Sequence, residues 1–139
     1  MSDILSHFED GVQTLTINRV ERKNALTGAM YTSLADGLEQ AAADPKVRVL
    51  LLQGDVAVFC AGNDLNDFLN SPPMGADSPV LRFLRALAAF PKPLLAAVCG
   101  PAVGIGTTML LHCDLVYAGD NAAFSMPFVN LGLCAEGAS

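Results

Sequence analysis

From Pro93 to Cys113 the chain holds no Asp, Glu, Lys or Arg, and Gly100, Pro101, Gly104 and Gly106 interrupt the middle of that run. No other stretch limits the fold as much. A charge-free run of this length is enough to cross a bilayer as one helix. Glycines and a proline at its centre break such a helix, because proline removes a backbone donor and glycine is costly to order. Lys92 and Asp114 also close the run abruptly at both ends. The reading that satisfies these facts is a buried strand over Leu94 to Cys99, a tight turn over Gly100 to Gly106, and a helix near Thr107 to His112. No membrane partner is expected. A strand that is apolar at every position offers no face to water, so its sheet is expected to be covered on both faces.

The rest of the chain alternates the same two kinds of element. Val12 to Asn18 sets Thr14 and Thr16 against Leu15 and Ile17, the period of a half-buried strand. Thr27 caps a helix reaching about Asp44, with Met30, Leu34, Leu38, Ala41 and Ala42 on one face and Pro45 ending it. Val47 to Gln53 reads as a buried strand bounded by Gly54. Ser78 followed by Pro79 marks another helix start, with Val80, Phe83, Leu84 and Leu87 at helical spacing before Pro91. Leu115 to Ala118 is a further strand, and Asn66 to Asp77, with Pro72, Pro73 and Gly75, is a flexible loop. Strands alternating with helices indicate the α/β class, in one domain over residues 1–139.

Hydrophobic residues make up 52% of the 139 and charged residues 16%, against about 25% charged in an average soluble domain. Such apolar content excludes disorder. The surplus needs cover, which points to an oligomer or to further chain. Net charge is −6, from 8 Lys and Arg against 14 Asp and Glu, so no nucleic-acid partner is expected. Arg19, Arg22 and Lys23 nevertheless lie close together, and a cluster of that size can hold phosphates. Met1 to Asp10 contains Asp3, Glu9 and Asp10 and no apolar run, so no secretory signal is expected. Cys60, Cys99, Cys113 and Cys134 form no CxxC, and His7 and His112 do not sit beside them at ligand spacing, so no metal site is expected. Reduced thiols at the ends of apolar runs fit a cytoplasmic compartment.

The glycine-rich turn could hold phosphate, but both familiar motifs fail. A dinucleotide fingerprint needs glycine at position 109, which is Met109, and a P-loop needs lysine after Gly106, which is followed by Thr107. What remains is a turn that brings free backbone N–H groups to a helix start, a geometry that favours negative charge, or a tight crossover with no ligand. A second element, Phe59-Cys-Ala-Gly-Asn-Asp-Leu65, leaves an apolar stretch through Gly62 in the same manner.

Together the two elements resemble the crotonase, or enoyl-CoA hydratase/isomerase, superfamily. Thr16-Ile-Asn-Arg19, Lys23-Asn-Ala-Leu26, Lys92 to Gly100 and Cys113-Asp114 carry the same likeness, in order and at family spacing. The resemblance implies a spiral of ββα units that binds acyl-CoA thioesters, assembled as a homotrimer or a dimer of trimers. It implies no cofactor, since CoA is part of the substrate. Its oxyanion hole falls on the backbone N–H groups of Asn63 and Ile105, the latter between Gly104 and Gly106. Lys23, Ala25 and Leu26 fall near the adenine and phosphates of CoA, although Lys23 also reads as a solvated surface lysine. Ala61, Gly62, Asp64, Leu65 and Gly104 fall along the substrate channel.

The general base decides the reaction. Hydratases of the family use two glutamates, and this chain has Thr108 and Phe128 at those positions. Gly132-Leu-Cys-Ala-Glu136-Gly137 instead resembles the segment in which peroxisomal-type Δ3,Δ2-enoyl-CoA isomerases place their single catalytic glutamate. Glu136 is then the base that moves a proton from C2 to C4 of a 3-enoyl thioester, in surroundings made apolar by Phe124, Met126 and Phe128 that raise its pKa. The alternatives are an enoyl-CoA hydratase and a binding module that holds acyl-CoA without turnover. Members of the family are roughly twice this long, so a C-terminal helical part is expected to be absent here, with the apolar surplus marking the core it covers.

Overall fold

The structure, a computed structural model, describes residues 2–70, 77–135 and 137. The chain opens with an antiparallel hairpin, β1 (Ile4–Glu9) and β2 (Val12–Ile17). Asp10 and Gly11 turn it at φ of 51° and 82°, the positive angles that match the twist of paired strands. Thr27 then starts α1 (Gly28–Ala43), its hydroxyl accepting the Met30 N–H, one of the donors a helix start leaves unpaired. The stripe Met30, Tyr31, Leu34, Ala35, Leu38 and Ala41 is buried. Lys92 Nζ donates to the Ala41 and Asp44 carbonyls, both at 2.7 Å, and so closes the other end of α1.

Next come β3 (Val49–Gln53), α2 (Leu65–Asn70) and α3 (Pro79–Ala89), the last capped by the Ser78 hydroxyl. They are followed by β4 (Leu94–Val98), β5 (Pro101–Val103), α4 (Ile105–Thr108), a 3-10 turn (Met109–His112), β6 (Leu115–Ala118) and β7 (Ala123–Ser125). The main sheet is ordered β1-β2-β3-β4-β6, parallel from β2 onward, and β5 and β7 pair in a second parallel sheet.

The charge-free run thus folds as two strands, a short helix and a 3-10 turn, and no described helix is long and apolar enough to cross a membrane. The helix expected near Thr107 starts two residues earlier and tightens after Thr108. Its closing acid is structural: Asp114 Oδ2 accepts the Leu94 N–H at 2.8 Å, tying the two ends of the run together. In the segment expected to be a loop, α2 forms through Asn70, and Pro72, Pro73 and Gly75 lie outside the described residues.

Leu15, Ile17, Leu50, Leu52, Leu94, Ala96 and Val98 alternate along β2, β3 and β4 and are all buried in one core with the inner faces of α1 and α3. Tyr31 of α1 meets Phe83 of α3 with ring centroids 5.4 Å apart, and Arg82 of α3 reaches Asp36 and Glu39 of α1. Full cover of both faces is not met. The register aligns Leu51, Leu95 and Leu115 in one row. Leu51 and Leu95 are half-buried and Leu115 is 55% exposed. The described elements bury one face fully and the other only in part, and β6 is exposed along its whole length.

Candidate active site

The segments after β3 and β4 leave the carboxyl ends of neighbouring parallel strands, where α/β folds place their sites. Backbone hydrogen bonds zip them together. The N–H groups of Phe59 and Cys60 donate to the Pro101 carbonyl at 3.1 and 3.2 Å, and the Val103 N–H donates to the Cys60 carbonyl at 2.9 Å. This closeness requires glycine. A Cβ at Gly62 would lie 3.0 Å from the Val103 oxygen, and one at Gly106 only 2.4 Å from the Cys60 oxygen. Gly104 has open space around it but sits at φ 59°, ψ −121°, a conformation in which a side chain is strained.

On the other side, Leu26 grips the first loop. Its N–H donates to the Gly62 carbonyl at 2.7 Å and its carbonyl accepts the Asp64 N–H at 2.8 Å, one rung of parallel pairing opposite Asn63. In such a rung the intervening residue points its own N–H away from the gripping strand. Ile105 opens α4, where an N–H has no acceptor within the helix. Neither the Asn63 nor the Ile105 N–H has an acceptor among the described residues, although Ile105 is only 1% exposed. Buried N–H groups are rarely left unpaired. Both residues line one cleft of about 570 Å³. Two unpaired donors in one cleft are suited to an oxygen that gains negative charge.

The cleft brings together Lys23, Ala25, Ala61, Gly62, Asn63, Asp64, Leu65, Gly104 and Ile105. Leu26 is not part of the lining: it is 2% exposed and belongs to the core, and it borders the cleft through its backbone. Asp64 lines the cleft, but both of its oxygens are engaged. Oδ2 accepts Arg19 Nη1 at 2.9 Å and Oδ1 accepts the Asp67 N–H at 2.9 Å. The Asp67 N–H first, and the Arg19 guanidinium after it, hold the Asp64 carboxyl below its usual range. Of the apolar residues expected near the base, Phe128 lines the cleft with Pro127, Leu131 and Leu133, whereas Phe124 and Met126 are exposed and stand apart. Glu136 lies outside the described residues. Its neighbour Gly137 packs on Thr108 and Ile105, a Cβ there falling 2.4 Å from Thr108 Oγ1 and 3.5 Å from Ile105 Cδ1.

Sequence reasoning passed over two contributors, Asn24 and Tyr31. Asn24 is fully buried at φ 57°. Its Oδ1 accepts the Arg19 N–H at 2.7 Å and its Nδ2 donates to the Val58 and Phe59 carbonyls, which staples the basic turn to the first loop. Of the basic cluster expected to hold phosphates, Arg22 and Lys23 both line the cleft and give its wall positive charge. Tyr31 reaches the site from α1, its hydroxyl donating to Asn63 Oδ1. Beneath the loop, burial pushes the Cys60 thiol up to about 12, a rise partly offset by the Gly62 N–H. No group of three or more His, Cys, Asp or Glu side chains among the described residues is placed to hold a metal ion.

Residues 7–139 match the family model described as enoyl-CoA hydratase/isomerase. The chain is 46% identical to the 1,2-epoxyphenylacetyl-CoA isomerase of Escherichia coli (strain K12), over 96% of this chain and 53% of that protein. It is 40% identical to human enoyl-CoA delta isomerase 2, over 94% of this chain and 35% of that protein. Hydratases are among its relatives as well. A solved structure of OdaA from Pseudomonas aeruginosa superposes with a TM-score of 0.95 at 56% identity, covering 99% of this chain and 56% of that one. The chain therefore spans about half the length, or less, of these three proteins.

Proposed function

The chain belongs to the enoyl-CoA hydratase/isomerase family, and from that premise we propose that it acts on acyl-CoA thioesters, shifting the double bond of a 3-enoyl-CoA to the 2-trans position. The observation that carries this reading is the pair of unpaired N–H groups at Asn63 and Ile105 on one cleft. With the thioester oxygen held between them, Glu136 takes a proton from C2. The C–H electrons move into the thioester and create a dienolate whose negative oxygen both donors stabilise, each typically worth about 2.7–4 kcal/mol. The same carboxyl then returns the proton to C4, leaving the double bond between C2 and C3. One base suffices because the dienolate stays bound between the two transfers.

Several features support this assignment, and the first of them weighs against hydration. Thr108 and Phe128 carry no carboxylate where hydratases of the family carry one. Gly137 packs on Thr108 and Ile105, beside one of the two donors. Arg22 and Lys23 at the cleft wall offer positive charge to CoA phosphates, and the reaction calls on no cofactor beyond the CoA of the substrate. The family resemblance suggests a homotrimer or a dimer of trimers, the exposed Leu115, Tyr117 and Val129 being open to cover by further chain or by a second copy, and the free thiols support a cytoplasmic setting.

The test is to supply a 3-enoyl-CoA to the intact protein and follow the ultraviolet absorbance of the conjugated product. Glu136→Gln is expected to lower kcat roughly 10²–10⁴-fold, the usual contribution of a general base. Unchanged turnover in that variant, product only as the 3-hydroxyacyl thioester, or binding without turnover would each overturn the assignment.

A further inference from the structure

The side chain of Asn63 raises a problem that Tyr31 solves. An asparagine in a turn tends to bond its own backbone, because its short amide reaches the N–H groups of its own residue and of the residue two further on. At position 63 the first of these is the N–H assigned to the thioester oxygen and the second is that of Leu65. A side-chain oxygen that captured the first would fill the donor and set a partial negative charge where negative charge must develop.

In the structure that oxygen is held elsewhere. Asn63 Oδ1 accepts the Tyr31 hydroxyl, donated from the first turns of α1. The Tyr31 ring is 4% exposed and packs against Phe83 of α3 at a 5.4 Å centroid distance. Arg82 clamps the two helices through Asp36 and Glu39, so the hydroxyl is presented from a fixed ring. Resting on the oxyanion reading above, we infer that Tyr31 is a positioning residue of the oxyanion hole: by holding the Asn63 side-chain oxygen, it keeps the Asn63 N–H unpaired and turned to the cleft. Tyr31 touches no reacting atom and acts through Asn63.

Tyr31→Phe removes only the hydroxyl and keeps the ring on Phe83, so it separates this role from packing. The first readout is the infrared stretch of the thioester carbonyl in a bound saturated acyl-CoA, an unreactive ligand. Two donors lower that stretch in the wild-type protein, and about half of the lowering should vanish in Tyr31→Phe as one donor is filled. With 3-enoyl-CoA, kcat should fall roughly 10-fold, less than the 10²–10³ of a donor removed outright, with KM and melting temperature unchanged. In an Asn63→Ala background the competing oxygen is gone, so adding Tyr31→Phe should change kcat by less than about two-fold.

Equal carbonyl shifts with and without the hydroxyl would overturn the inference while leaving the oxyanion hole intact. So would an equal loss of kcat in both backgrounds, or a fall in melting temperature that accounts for the lost rate. No carbonyl shift in the wild-type protein would overturn the oxyanion hole itself and this inference with it.

Discussion

Replacing Gly106 by alanine changes one methyl group and tests the contact that sets the spacing of the two donors. Gly106 is buried in α4 and has no positive φ, so an alanine there meets an obstacle of space and none of backbone angle. Its Cβ would fall 2.4 Å from the Cys60 oxygen and 3.0 Å from the Cys60 Cβ, where ordinary contact begins near 3.4 Å. About 1 Å of separation must be found, and a backbone carbonyl within the zipped loops cannot rotate aside. If α4 yields, the Ile105 N–H moves with it, stretching a hydrogen bond of about 2.9 Å beyond useful length. The expected loss is that of one oxyanion donor, roughly 10²–10³ in kcat, with an overpacking cost of about 1–3 kcal/mol. Each kcal/mol lowers the melting temperature by about 3–4 °C in a domain of this size. Steady-state turnover of a 3-enoyl-CoA and a thermal melt read the two effects. Gly28→Ala is the control, since its Cβ meets nothing nearer than 3.7 Å and it lies outside the cleft lining. Wild-type kcat and melting temperature in Gly106→Ala would refute the close approach.

Two further outcomes follow from the surroundings of the loop. Arg19→Met should lower stability by about 2 kcal/mol, because it leaves a largely buried Asp64 oxygen without its charged donor. Asp64 has its folded pKa depressed, so its contribution is complete above the ordinary carboxylate value and is lost as pH falls through the lower folded one. The stability gap between wild type and Asp64→Asn in urea unfolding should therefore shrink below about pH 4, and a gap constant down to about pH 2 would refute the assignment. Iodoacetamide at about pH 8 should label exposed Cys134 in the native protein and spare Cys60, which is buried with its thiol held up to about 12. Equal labelling of the two would show that the loop above Cys60 opens.

Helix starts and the long parallel strands were legible because their signals are local. Thr27 and Ser78-Pro79 announce α1 and α3 through the chemistry of their own first turns, and a charge-free run names a strand wherever it sits. The short elements were not legible. β5 and β7 are three residues each and exist because they pair with each other, a fact no window of sequence contains. β1 did carry a local signal, the Asp10-Gly11 turn, although its exposed and polar positions hide it from a search for apolar alternation. The glycines of the site were visible as a pattern, but their reasons are spatial: Gly106 answers to Cys60, and Gly62 to Val103. The motif that holds Leu26 adjoins the cleft, but what Leu26 does there is visible only in space: its side chain belongs to the core and its backbone holds the loop. Tyr31 stood outside every motif, being remote in sequence from the residue it holds.

If the N–H groups of Asn63 and Ile105 receive the thioester oxygen, their own resonances report it. Amide spectra of the intact, isotopically labelled protein should be recorded with a saturated acyl-CoA and then with the matching thioether, which keeps the CoA and the acyl chain but lacks the carbonyl. Both amide protons should move downfield with the thioester and stay near their unliganded positions with the thioether, while the resonances of Lys23 and Ala25 move with either ligand. Equal shifts of Asn63 and Ile105 with the two ligands, or no shift of either with the thioester, would contradict the account.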